Sequence, residues 1–295
     1  MLACQQLIMG YNEAKRQAGD DNMDDASTIE ERRRIAEKYR SYNRPFDSQP
    51  IWSATLDDLD GELFRSISLS AAIPGGINKQ NGLAYERRLV GMRFITSEPH
   101  YIPTALGILI VGKDPRQYIP GAYIQFNRID GTDLTDPIKV QKEIVGPLPD
   151  LLRRLDEILQ LNITIATDIT SQPREIRQPD YPIVALQQLA RNAIMHRTYE
   201  STNAPVRITW YADRVEIQNP GGPFGQVNQD NFGHPGIADY RNPHLAEAMK
   251  NLGYVQRFGI GIALARRELE KNSSPPLEFT LAGGNHVLAT IKRHS

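Results

Sequence analysis

Gln188, Asn192 and His196 are the first group in this sequence whose types and spacing suggest chemistry. Their i, i+4, i+8 separation sets them on one stripe of a helix expected near residues 182–195. Beside them runs an apolar arc of Leu186, Leu189, Ala190 and Ala193. Every surface helix has a polar side, but Asn192 stands at the edge of the apolar arc, where a side chain is partly buried and needs a partner. Two glycine pairs follow. Gly221 and Gly222 come directly after a strand ending in Asn219 and Pro220, and Gly259 and Gly261 directly precede a helix. Glycines at a strand end and at a helix N-terminus let backbone N–H groups approach a phosphate, which the helix dipole favours. Either pair alone reads as an ordinary turn. The pattern lies in the order: asparagine-bearing helix, hairpin, glycine turn, glycine-led helix, last strands.

Other candidates are weaker. Gly107, Gly112 and Lys113 have the G-x-x-x-x-G-K spacing of a phosphate-binding loop. Asp114, however, stands where a Ser or Thr must reach Mg²⁺, the intervening residues are apolar, and Pro115 follows instead of a helix. Asp20, Asn22, Asp24 and Glu31 mimic positions 1, 3, 5 and 12 of a Ca²⁺ loop, but Asp25 occupies the place of the glycine that makes the sharp turn. The histidines at 100, 196, 234, 244, 286 and 294 show no paired ligand spacing.

The elements that must position these residues belong to a chain of 295 residues, long enough for one large domain or two ordinary ones. Lysines and arginines number 34 against 35 aspartates and glutamates, a net charge of −1, so no global basic field drives nucleic-acid binding. One cysteine, Cys4, excludes a disulfide framework and a thiolate cluster and fits a reducing compartment. The longest clean apolar run, residues 105–111, is far short of a membrane span. The first ten residues lack the basic start and long apolar core of a signal peptide. The expectation is a cytoplasmic mixed α/β protein.

Residues 19–25 are acidic. Ser27 and Glu30 have capping-box spacing, and six basic residues between Arg32 and Arg44 make the following helix the most basic element, one able to touch phosphate. Pro45 stops it. Ser53 or Thr55 caps a helix carrying Leu56, Leu59, Leu63 and Phe64; a Gly/Pro/Asn-rich loop and a helix near residues 84–92 follow. The run at 105–112 reads as a buried strand, or as a buried helix leading into one. Residues 113–121 read as a loop, 122–129 as an alternating strand, and the stretch after 144 as a helix with Leu148, Leu151, Leu152, Leu155, Ile158 and Leu159 on its apolar side. Strands are expected near 162–169 and 174–178, and a hairpin over 206–219. A helix capped by Asn242, with Pro243 in its first turn and Gly253 at its end, comes next. The glycine-led helix and two closing strands complete the chain. The boundaries read as a lead-in over 1–50, a middle α/β segment over 51–161 and a last domain over 162–295.

The strings ALQQLARNAIMHRTY, VRITWYADRVEIQNPGG, RNPHLAEAMKNLG and RFGIGIALARRELE together resemble the GHKL nucleotide-binding fold. That fold is shared by gyrase-type ATPases, a heat-shock chaperone family, histidine kinases and the mismatch-repair protein MutL. Residues 176–270 are most similar to the GHKL-like domain of RecG-like transcriptional regulators. The strings ATLDDLD, PTALGILIVGKDP and YIQFNRIDG resemble the family's middle segment, and residues 27–48 the tail of its N-terminal Schlafen-type AlbA domain, whose body is missing. The resemblance implies a C-terminal GHKL-like α/β sandwich, with helices over one face of a mixed sheet, after a smaller α/β segment. It implies ATP or ADP with Mg²⁺, a homodimer, and DNA contact through longer relatives' N-terminal domain or the helix of residues 32–44. By position, Asn192 matches the asparagine that holds Mg²⁺ on the phosphates, and His196 lies on the same stripe. Asn219 falls where an Asp reads the adenine amino group. Gly221 and Gly222 match the loop beneath adenine, and Gly259 and Gly261 the glycines that meet the phosphates. Three departures accompany these matches. Gln188 replaces the catalytic Glu and cannot take a proton from water. Asn219 keeps an acceptor oxygen without the charge, and Gln256 replaces an expected Glu. Glu200 is the one other candidate base, in a loop past the helix. The implied role is nucleotide binding with little or no turnover; the alternative is a scaffold for dimerisation or interaction that binds no nucleotide.

Overall fold

The computed structural model describes residues 36–39, 43–69, 85–168, 176–200, 202–234, 236–255, 259–282 and 285–294. The acidic run, the Ca²⁺-like set, the Ser27 capping box, Cys4, the loop of 71–82 and Gln256 lie outside them. The helices are α1 (Gly61–Leu69), α2 (Tyr85–Gly91), α3 (Ala105–Val111), α4 (Pro115–Tyr118), α5 (Leu148–Asn162), α6 (Ile183–His196), α7 (Pro243–Asn251) and α8 (Gly261–Lys271). The strands are β1 (Ile124–Ile129), β2 (Ile138–Ile144), β3 (Ile165–Asp168), β4 (Ile176–Pro179), β5 (Val206–Trp210), β6 (Arg214–Pro220), β7 (Glu278–Ala282) and β8 (His286–Lys292). The fold is mixed α+β. A six-stranded sheet has the order β2-β1-β5-β6-β8-β7, and β3 pairs with β4 separately. β1 and β5 run parallel and the other neighbours antiparallel. The sheet and its core therefore draw strands from both sides of residue 161.

Register explains the core. Phe126 pairs with Ile208, Ile208 with Ile217, Ile217 with Ala289 and Ala289 with Phe279. A period of two keeps this row on one face, and its four inner members are buried. Helices α5 and α6 pack against the sheet, and α6 packs in turn against α8. The apolar arcs expected for α5 and α6 are buried as the spacing requires: Leu148, Leu151, Leu152, Leu155 and Leu159 on one, Leu186, Leu189, Ala190 and Ala193 on the other.

Several local expectations need correction. Residues 105–111 form the buried helix of the two readings, but it leads into a short helix at 115–118 and not into a strand. Thr104 caps the buried helix by accepting from the Gly107 N–H at 3.1 Å, and all seven residues are buried. That helix consumes the loop-like glycine spacing, and Lys113 Nζ donates instead to the Asp57 carbonyl. The helix expected after Ser53 or Thr55 splits in two. Thr55 and Asp58 make a capping box on the 3₁₀ turn Leu56–Asp58, Leu59 is extended, and the Asp60 carboxylate then receives the Glu62 and Leu63 N–H groups at the start of α1. Residues 115–118 form a short helix capped by Asp114 rather than a loop. Strand β2 was not expected. It lies at the sheet edge and buries only Ile144, so it carries little apolar signal. Asn242 holds the N-cap position of α7 without a capping bond. Its amide donates to the Met195 and Arg197 carbonyls instead, and the Asp47 carboxylate accepts from the Leu245 N–H at 2.8 Å.

The carboxyl end of α6 is saturated by side chains. Tyr199 donates to the Ile194 carbonyl, Asn242 to those of Met195 and Arg197, and Arg241 to that of His196. Arg197, 1% exposed, spends its guanidinium on the carbonyls of Gly121, Thr198 and Ala204. Arg197→Met removes the guanidinium from all three carbonyls and leaves that of Gly121 with the Tyr123 N–H alone. It should lower stability by roughly 1–3 kcal/mol, the cost of leaving buried acceptors unsatisfied. A shift of the urea midpoint at unchanged slope is the expected readout.

Candidate functional site

One cleft gathers residues from α6, the end of β6, the loop after it, α7 and the start of α8. Four-residue spacing on α6 points Gln188, Asn192 and His196 at it, and all three line it. Asn219 belongs to the alternation that buries Val215 and Ile217, so it faces the helices and not the opposite side of the sheet. It is 4% exposed, and its amide nitrogen donates to the Pro220 carbonyl. The remaining polar atom is the amide oxygen, an acceptor.

The glycines allow close approach. Gly221 has φ +93°, and its N–H donates to the Asn285 carbonyl. A Cβ on it would come 2.9 Å from Arg241 Nη1 and 3.0 Å from the Thr198 nitrogen, so only glycine lets this turn touch the end of α6. At Gly261 a Cβ would stand 3.3 Å from Gln188 Oε1, which is why α8 can lie so near α6. No side chain caps α8. Its first N–H groups and the positive end of its dipole face a cleft lined by Gly259 and Gly261, an arrangement suited to an anion.

A lid of residues 222–234 and 236–241 closes the other side. Tyr240 stacks on His196 with ring centroids 5.3 Å apart, and its hydroxyl hydrogen-bonds the Gly259 backbone. Asp239 receives the Gln226 and Tyr240 N–H groups, Arg266 donates to the Gly233 carbonyl, and Phe232 meets Phe279 edge to face. Arg241, 5% exposed, lies in the wall. Its guanidinium donates to the His196 carbonyl at 2.7 Å, to the Gly222 carbonyl at 3.2 Å and to Glu37 at 2.6 Å. It also sits over the Phe224 ring.

All seven residues expected from the sequence, Asn192, His196, Asn219, Gly221, Gly222, Gly259 and Gly261, line this one cleft together with Gln188. Glu200 does not line it; its carboxylate accepts from Gln49. Sequence reasoning missed the lid side chains Phe224, Tyr240 and Arg241. Their segment has no periodicity, and the only cue, Asn242-Pro243, was read as a helix start. Among the described residues no cluster of three metal-ligating side chains occurs, and no helix is long and apolar enough to cross a membrane.

Residues 203–291 match a family model. Its description is "Putative ATP-dependent DNA helicase recG C-terminal". The match runs from just before β5 into β8, so it holds the hairpin, the glycine turn, α7 and α8, and it supports an ATP-binding, GHKL-like C-terminal domain. The helix bearing Asn192 lies outside it. The DIP2311 protein from Corynebacterium diphtheriae has a crystal structure similar to this chain, with a TM-score of 0.64 and 18% identity. The similarity covers 88% of this chain and 50% of that one, so the chain spans about half that protein's length, and the likeness is one of fold. A search of the curated proteins finds no match.

Burial, aided by the Arg241 charge, pushes the His196 imidazole from its ordinary 6.5 down to about 4. The unfolded chain therefore binds a proton below pH 6.5 that the folded chain refuses. This group's contribution is complete above pH 6.5 and is lost as pH falls toward 4, about 3 kcal/mol in all. Stability measured from pH 7 to 4 should fall less steeply in His196→Gln than in wild type.

Proposed function

We propose that the chain binds an adenine nucleotide as Mg²⁺–ATP or ADP in this cleft and does not turn it over efficiently. The observation that carries this reading is the convergence of Asn192, Asn219 and both glycine pairs on one cleft from separate elements. Asn219 would accept from the amino group of the base through its amide oxygen. Gly221 and Gly222 would lie under the base. The uncapped start of α8, freed of side chains at Gly259 and Gly261, would receive the phosphates, and Asn192 would offer an oxygen to their Mg²⁺. The ion, when bound, supplies charge neutralisation for the phosphates.

Hydrolysis needs a group that takes a proton from water. The side chain at the relevant place on α6 is Gln188, 8% exposed and packed against the start of α8, and an amide is no base at neutral pH. This favours a sensor over an engine. On the same reading the chain is the nucleotide-responsive part of a homodimeric transcriptional regulator, with DNA reached through the basic stretch of residues 32–44 or through a domain joined to it.

Isothermal titration of Mg²⁺–ATP tests the reading. Wild type should bind saturably. Asn192→Ala should lose about tenfold or more in affinity, the value of one charge-assisted contact. Gly261→Val, which drives a branched side chain toward Gln188, should abolish binding. Absence of heat with wild type at high protein concentration overturns the proposal. Where binding is seen, Gln188→Glu should raise phosphate release above that of wild type.

A further inference from the structure

Residues 36–39 and 43–49 hold one strip of the lid and α7 at three points. Glu37 accepts from Arg241 Nε at 2.6 Å and from Nη2 at 3.4 Å. Lys38 Nζ lies 3.6 Å from Asp239 Oδ2. Asp47 accepts from the Leu245 N–H. These partners are about two hundred residues away in sequence, and Glu37 lies outside the span that the family model matches.

The Glu37–Arg241 pair differs in kind from the surface pairs. Its side chains are 6% exposed on the Arg and 19% on the Glu, against 58% and 59% for Arg153 and Glu157 on α5. A shielded pair is screened little, and loss of one partner leaves the other charge uncompensated. The guanidinium is planar, so two bonds to Glu37 fix the plane in which the remaining donors point. Those donors hold the His196 carbonyl, at the end of the Asn192-bearing helix, and the Gly222 carbonyl, in the glycine turn. No other carboxylate in the wall is unoccupied: Asp239 already receives two backbone N–H groups.

We propose that Glu37 is a positioning residue of the cleft, acting through Arg241, so that ligand affinity depends on the seating of residues 36–39 against the lid. The statement about affinity rests on the nucleotide reading above; the statement about the lid does not. Seating of the arm and filling of the cleft are then linked. By reciprocity, nucleotide should slow amide exchange in residues 36–49, and unseating the arm should weaken nucleotide binding by the same factor.

The test compares wild type, Glu37→Gln, Glu37→Asp and Glu157→Gln by Mg²⁺–ATP titration and by hydrogen exchange without ligand. Glu37→Gln keeps the shape and removes the charge. It should weaken binding about tenfold, in the usual range of coupling between sites, with Glu37→Asp restoring part of the loss and Glu157→Gln equal to wild type. In the ligand-free Glu37→Gln protein, exchange should accelerate in the lid and in residues 36–49 and remain unchanged in β1 and β2. Equal affinity in wild type and Glu37→Gln overturns the coupling, and acceleration throughout the sheet overturns a positioning role in favour of general loosening. If wild type binds no Mg²⁺–ATP, the nucleotide reading fails separately and the exchange data decide alone. Faster lid exchange in Glu37→Gln then upholds the positioning role, and unchanged exchange removes it.

Discussion

The last carbonyls of a helix have no partners within it, and at the carboxyl end of α6 that requirement organises the molecule. Tyr199, Asn242 and Arg241 each donate to one or two of these oxygens. The donors come from the segment after α6 and from the lid. Arg197, at the C-cap, reaches to Gly121 in the middle segment and to Ala204 before β5. A single helix end thus joins the middle segment, the central sheet, the lid and α7. The cleft forms beside it because the chain must return there to satisfy those oxygens.

Two buried guanidiniums, Arg197 and Arg241, stand at this helix end and stay charged at any physiological pH. Each is compensated differently. Arg197 is surrounded by carbonyl dipoles. Arg241 combines carbonyls with the carboxylate of Glu37. The second arrangement brings an acidic residue from far upstream to the cleft wall, beside a His196 that burial above all keeps neutral. At the cleft the Arg241 charge is met by Glu37, and the uncapped start of α8 presents the positive end of a helix. That electrostatic character suits an anionic ligand, while Gln188 withholds the base that hydrolysis would need.

Much of this site was legible because its parts are local patterns. The stripe of Gln188, Asn192 and His196 follows from helical periodicity alone. The alternation of Val215, Ile217 and Asn219 follows from strand geometry, and the glycine pairs mark places where backbone must come close to something. The lid was illegible for the opposite reason. Phe224, Tyr240 and Arg241 have no period, and their contacts join residues whose order in the chain carries no trace of their proximity. Asn242 shows how a local rule can fail. Its type and the following proline signal a helix cap, and the helix does start there. The side chain is drawn to the carbonyls of Met195 and Arg197, while the Asp47 carboxylate takes the Leu245 N–H in the first turn of α7.

The sequence by itself determined the mixed fold, most of its helices and strands and the candidate residues that line the cleft, because periodicity, turn chemistry and side-chain type act over a few residues. Only the tertiary structure decided that those residues share one cleft, that residues 105–111 coil instead of extending, that β2 completes a sheet edge, and that Glu37 and Asp47 hold the lid and α7. These outcomes depend on which buried polar groups find partners across the chain. That choice is made by the packed molecule as a whole.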